Sequence, residues 1–238
     1  MNQIGITERG DPVFDPSWIG WVREGKPAIL ITKSPHLLLE TLSDMHGNSI
    51  NVIVHATVTG YGGTILEPNV PKPKVAMQGY EGLIDLLGYE RVVLRIDPII
   101  ITEKGLMTAR TILASARKIA QTRVRISFLD LYPHVIKRFT EAGIPLPHKG
   151  FHASKAARLL AYRSLNHITS PWKTEICGEP DLPVTGCISL ADCQTLNVQP
   201  MEKLGTQRPT CACFGNKLEL LSSKSQCEHK CLYCYWRK

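Results

Sequence analysis

The chain has 238 residues, 43% apolar and 21% charged, with a net charge of +7. This is ordinary globular composition, enough for one large domain or two small ones with a buried core. No 18-residue apolar run and no basic-then-apolar leader is present, which argues against a membrane span or a signal peptide and leads us to expect a cytosolic protein with reduced cysteines.

Along the chain, strands are expected at Ile4–Thr7, Ala28–Thr32, Asn51–Val58, Val92–Ile96, Arg123–Leu129 and about Trp172–Ile176. They are short buried runs rich in Val, Ile and Thr. Helical spacing appears between them, at Leu38, Leu42 and Met45, at Met77, Tyr80, Ile84 and Leu87, and from Leu106 through Ala109, Leu113 and Ala116 to Ala120. Asp15-Pro16 and Ser34-Pro35 each read as a cap before a proline at the first helical position. Pro68 to Pro73 is a stiff loop. Alternating strand and helix implies an α/β fold with a parallel sheet, and about six such units make a partial (β/α)6 TIM-like barrel. An open doubly wound sheet is the alternative. The periodicity ends near Cys177. We therefore expect a barrel core over residues 1–176 and a Cys-rich, metal-organised region over residues 177–238.

The strands end in polar or ionisable residues: Thr7-Glu8-Arg9, Thr32-Lys33, Thr57 with Thr59, Arg95 with Asp97, and Ser127 with Asp130. In parallel barrels these ends carry the chemistry. Any single one can equally be a strand cap or a local ion pair, and Arg95 with Asp97 is a natural pair. Between Lys104 and Arg163, twelve Lys and Arg stand against two acids, Asp130 and Glu141. That suits either a polyanion-binding face or a solvated basic surface. Aromatic residues are only 7% of the chain, and no base-stacking platform is evident.

All eight cysteines fall in the last 62 residues, which points to metal ligands rather than scattered core thiols. The tail reads Cys227-Glu-His-Lys-Cys231-Leu-Tyr-Cys234-Tyr-Trp, or C-x3-C-x2-C with an aromatic before the last cysteine. Three thiolates on one loop can hold three irons of a 4Fe–4S cube and leave the fourth iron open. Zinc, with His229 as a fourth ligand, is the competing site, although the spacing is unusual for zinc. Cys193 reads as a buried spare thiol.

The triplet resembles the signature of radical S-adenosylmethionine (radical-SAM) enzymes. Cys-Leu-Tyr-Cys-Tyr, Ile31-Thr32-Lys33-Ser34-Pro35, and Thr57-Val58-Thr59 with Leu66-Glu67-Pro68 are similar to segments of the spore photoproduct lyase branch. The triplet lies at the C-terminus instead of after the first strand. In this, and in Arg95-Ile-Asp97-Pro98 and Ser127 to Tyr132, the chain resembles a circularly permuted family whose cysteines match at 177, 187, 211 and 213. Permutation is feasible because termini lie at the surface.

The resemblance implies two 4Fe–4S clusters, one on Cys227, Cys231 and Cys234 and an auxiliary one on Cys177, Cys187, Cys211 and Cys213, with structural zinc the alternative at the second site. It implies S-adenosylmethionine as cofactor and an external electron donor. The cofactor is split to a 5′-deoxyadenosyl radical that takes a hydrogen atom from substrate. Lys33 would meet the cofactor carboxylate, Thr57 and Thr59 its ribose or amino acid end, and Arg95 and Asp97 cofactor or substrate. The implied substrate is a base in DNA. The narrowest relatives would be viral isomerases of hypermodified thymidine, acting in the host cytoplasm. A radical-SAM enzyme on a peptide or small molecule, and a metal-dependent nucleic-acid-binding module, are the competing readings.

Overall fold

The computed structural model describes residues 3–45, 50–169, 174–202, 210–222 and 227–237. Its strands are β1 (Ile4–Ile6), β2 (Ala28–Thr32), β3 (Val52–Thr57), β4 (Val92–Ile99), β5 (Arg123–Phe128), β6 (Thr174–Ile176) and β7 (Lys217–Glu219). The helices are α1 (Ile19–Arg23), α2 (Pro35–Asp44), α3 (Pro73–Leu87), α4 (Glu103–Ile119), α5 (Pro133–Glu141), α6 (Lys155–Thr169) and the short α7 (Leu190–Thr195). The first six strands fall where the pattern places them; the start expected at Trp172 lies outside the described residues. Asp15 caps a 3-10 turn as expected, accepting from the Ser17 amide. Ser34 does not cap α2 with its side chain. Its amide instead donates to the Thr32 hydroxyl at 2.8 Å, so the turn is fixed from the strand side.

All seven strands form one parallel sheet in the order β6-β5-β4-β3-β2-β1-β7. The order from β1 to β6 never reverses, whereas a doubly wound sheet needs a reversal at its switch point. The last strand was invisible in the sequence: Lys217, Leu218 and Glu219 are too few to show a period, and they become a strand by pairing with β1.

One face of the sheet, carrying Leu30, Val54, Leu94 and Ile126, packs under Leu38 and Leu42 of α2, Tyr80 and Leu83 of α3, and Ile112 and Leu113 of α4. At Gly79 the helices α2 and α3 meet backbone to backbone: a Cβ there would lie 2.2 Å from the His36 amide nitrogen. The opposite face is apolar on β1 and β2, where Ile4, Ile6, Ile29 and Ile31 pack against Ile188, Leu196, Val198 and the buried cysteines of the C-terminal segment. On β3 to β6 the same face carries His55, Arg95, Arg123, Arg125 and Glu175.

These ionisable groups pair with one another. Arg125, fully buried, donates to Glu175 and to Asp192 of α7 (3.0 Å), and to the Cys187 carbonyl at 3.0 Å. Arg123 joins the same two acids. Burial and the neighbouring Arg125 push His55 well below the usual histidine range, so it sits neutral. Arg123 and Arg125 are thus withdrawn from the basic face expected from the sequence. Arg138 and Arg158 are buried too, which leaves eight of the twelve cations exposed, on the outer helices and loops. No helix among the described residues is long and apolar enough to cross a membrane.

Removing one member of a buried charge network strands the others in a low-dielectric interior. Arg125→Met should therefore lower the unfolding free energy by about 3–5 kcal/mol. Arg117→Met, on the exposed side of α4, should change it by no more than about 0.5 kcal/mol. Urea denaturation of the two variants checks the contrast.

Candidate active site

The C-terminal ends of the parallel strands open into a cavity of about 790 Å³. Both cysteine sets line it, the triplet at 227, 231 and 234 and the set at 177, 187, 211 and 213, together with Lys33, Thr57, Arg95 and Asp97. Segments far apart in the chain are therefore brought to one place. Thr59 does not line the cavity. It is buried, and its hydroxyl donates to Glu67 at 2.7 Å.

Glu67 is the centre of the arrangement. Its carboxylate, 1% exposed, accepts from the Lys33 ammonium at 2.7 Å, from Thr59, and from the Tyr233 hydroxyl. Burial acts to raise the Glu67 pKa, but the Lys33 charge and the three hydrogen bonds outweigh it and hold it below the usual carboxylate range. Burial acts to lower the Lys33 pKa, and Glu67, helped by Cys231 and Asp97, more than reverses that. The pair is therefore ionised, and Tyr233, whose pKa burial and Glu67 push well up, stays a phenol donor. The Lys33 nitrogen is also 3.1 Å from that phenol oxygen. Lys33 thus already has a carboxylate partner, and its first task is to hold the end of β2 to the cysteine loop.

The loop has further anchors. Asp11, buried, accepts from the Lys33 amide (2.7 Å), the Thr32 hydroxyl (2.8 Å) and His229 Nε2 (2.7 Å). His229 Nδ1 faces the Asn69 carbonyl at 3.3 Å, so both ring nitrogens are turned to the protein. That removes His229 from a zinc ligand set. Asn69 in turn donates to the Glu228 carbonyl at 2.7 Å, and the Leu232 amide to the Leu66 carbonyl at 3.0 Å. From α5, Arg138 donates to the carbonyls of Leu232 (2.7 Å), Cys234 (2.5 Å) and Arg237. Lys230 turns the loop with φ of 55°. Sequence reasoning missed Asp11 and Arg138 as site residues. Glu67 stood inside the Leu66-Glu67-Pro68 segment, but nothing local marked its role.

At the next strands, Arg95 pairs with Asp97, and Asp97 also accepts from Ser127. Burial opposes both charges and the pair overrides it, raising Arg95 and lowering Asp97. Beneath them, the Cys177 and Cys187 sulfurs are 3.3 Å apart, and the Cys187 amide is 3.0 Å from the Cys213 sulfur. Gly186, with φ of +74°, allows that approach: a Cβ there would lie 2.5 Å from the Cys213 nitrogen. Hydrogen bonds from Cys177 and Cys213, aided by Arg95 and Arg125, favour the Cys187 thiolate. Cys193 is fully buried among apolar groups, as expected of a spare thiol.

Among the described residues, no group of three or more His, Cys, Asp or Glu side chains converges to hold a single metal ion. A 4Fe–4S cube has a different requirement, since it offers each thiolate its own iron and spaces the ligands more widely. The residues suit such a group. Three thiols of one anchored loop line the cavity; burial pushes Cys227 and Cys231 up to about 11 and about 12, against ionisation, and the nearby Lys33 cation works the other way and favours their thiolates. The second set is faced by Arg95 and Arg125, which complement a thiolate-rich centre.

The lowered pKa of Glu67 fixes the sign of a pH effect. Its contribution is complete above the ordinary carboxylate pKa, about 4.3, and is lost as pH falls through the lowered folded value. Glu67→Gln leaves Lys33 uncompensated and should cost about 3–5 kcal/mol at pH 7. Denaturation at pH 7 and at pH 3 should show the gap between wild type and variant narrowing in acid.

A family model for a domain of unknown function, DUF1848, matches residues 24–236. Nothing among curated proteins or solved structures matches the chain. The match takes in both cysteine sets and every strand end around the cavity except that of β1, and the protein belongs to the DUF1848 family.

Proposed function

We propose that this protein is a circularly permuted radical-SAM enzyme acting on a base carried in DNA. The triplet Cys227, Cys231 and Cys234 would hold the catalytic 4Fe–4S cluster, and Cys177, Cys187, Cys211 and Cys213 an auxiliary one. The observation that carries this reading is the single cavity, at the C-terminal strand ends, onto which both cysteine sets open.

Two features of the fold support the permuted barrel. The triplet follows β7, and β7 lies at the sheet edge beside β1. A chain begun at β7 would run through the strands in spatial order, with the cysteine loop after its first strand. The helices α2, α3, α4 and α6 pack on one face, as helices do around a barrel.

Cys227, Cys231 and Cys234 would hold a cluster that, when bound, would supply the electron for reductive cleavage of S-adenosylmethionine and so the means of hydrogen abstraction from substrate. The chain's own groups bind, orient and exclude water. Lys33, Glu67 and Tyr233 fix the loop, and the Lys33 charge offsets the thiolates. Thr57 offers a hydroxyl to the cofactor from the end of β3. Arg95 and Asp97, locked together, present one guanidinium and one carboxylate face to cofactor or substrate.

Protein purified anaerobically should contain iron and sulfide and release 5′-deoxyadenosine from S-adenosylmethionine under reduction. Replacing the three tail cysteines together should abolish that release and keep about half of the iron, given four irons per cluster. Stoichiometric zinc without iron, and no deoxyadenosine, would overturn the proposal.

A further inference from the structure

We infer that a DNA strand lies across the rim of this cavity and not on the helical surface between Lys104 and Arg163, with an extruded base stacked among Tyr132, Tyr235 and Trp236 and phosphates held by Arg9, Lys230 and Arg237. The inference rests on the cavity being the reaction chamber, and it names the surface that would deliver the substrate there.

All six residues line the cavity. Four of the chain's 16 aromatic residues, Tyr132, Phe151, Tyr235 and Trp236, gather at this one edge. The Tyr132 ring is 5.0 Å from that of Tyr235 and 4.8 Å from that of Phe151, centroid to centroid. Trp236 is 40% exposed and Phe151 42%. The Arg9 guanidinium lies 5.8 Å from the Trp236 ring centroid, with its side chain about half exposed. Lys230 and Arg237 are exposed as well.

The acids of the same cavity are committed internally. Glu8 pairs with Lys217, Asp11 with His229, and Asp97 with Arg95 and Ser127. Arg9 has only a long 3.9 Å contact with Glu219. The outward charge at the mouth is therefore positive. Exposed cations interleaved with aromatic faces form a surface for single-stranded nucleic acid: bases stack on the rings whatever their sequence, and phosphates meet the cations.

The basic stretch is placed differently. Four of its arginines are internal. Arg117 and Lys118 sit in the last turn of α4, which returns antiparallel to the strands and so ends at the far end of the sheet from the cavity. A strand held there could not feed a base to the cysteine loop. Single-stranded DNA should also bind better than duplex, because no base need be unpaired to enter.

Anisotropy of a labelled single-stranded oligonucleotide with anaerobically prepared protein tests this. Arg9→Gln with Arg237→Gln should weaken binding about ten-fold and flatten its salt dependence. Trp236→Ala should weaken it about ten-fold with the salt slope unchanged, and Trp236→Phe should restore most of the loss. Arg110→Gln, Arg117→Gln and Lys118→Gln together should change it less than about three-fold. If the outer-helix variant weakens binding as much as the rim variant, or if the wild type does not bind the oligonucleotide, the inference is overturned. The two readings fail separately: deoxyadenosine release without oligonucleotide binding sinks the rim and the DNA substrate and leaves the radical chemistry, whereas rim-dependent binding by anaerobically prepared protein that holds no iron and releases no deoxyadenosine sinks the radical chemistry and leaves the rim.

Discussion

One buried carboxylate holds the site together. Glu67 accepts from Lys33 at the end of β2, from Thr59 just beyond β3 and from Tyr233 in the cysteine loop. The loop needs such support, because residues 227–237 form neither helix nor strand and pair with no sheet. A segment of this kind is ordered only by what it docks against. In a low-dielectric interior an ion pair with all its hydrogen bonds made is rigid, and one with a partner missing is costly. Asp11 and Arg138 extend the same logic, the first from the β1 side and the second from α5, by giving the loop's histidine and its carbonyls fixed partners.

The sheet shows why this end of the molecule and no other carries the site. On the face away from helices α2 to α4 the ionisable residues form two groups. Arg123, Arg125, Glu175 and Asp192 pair with one another, and Arg95, Asp97 and Ser127 make the second group, with Arg95 beside Arg125 in the strand register. The first group has no exposed member beyond part of Arg123, and it seats α7 and the Cys187 loop on the sheet. In the second, Arg95 and Asp97 reach the cavity. Arg95 and Arg125 both face Cys187, where their charges favour a thiolate.

Seen from the cavity, the two cysteine sets differ in position. The triplet lies beside the rim, near the tail's aromatic and basic residues, whereas the second set is buried against the inner face. In the proposed enzyme this would put the reactive centre where substrate arrives and the auxiliary centre behind it. The positive, aromatic mouth suits a substrate carrying both phosphates and a flat ring.

Much of this was legible in the sequence. The first six strands showed as Val- and Ile-rich runs because hydrophobic patterning is local, and the C-x3-C-x2-C triplet stood out as a candidate ligand set because its cysteines are close together in the chain. The polar residues at 33, 57, 95 and 97 could be proposed as neighbours, since parallel strands bring their ends to one side. Partnership was not legible. Nothing near Glu67 foretells Lys33, Thr59 and Tyr233, and nothing near Arg125 distinguishes it from Arg117, though one is buried and the other exposed. The strand at 217–219 and the aromatic rim likewise exist only by assembly. Charge and residue type are properties of the chain, but burial and pairing depend on contacts between residues far apart in it, and only the tertiary structure decides which cation is a brace and which is a surface.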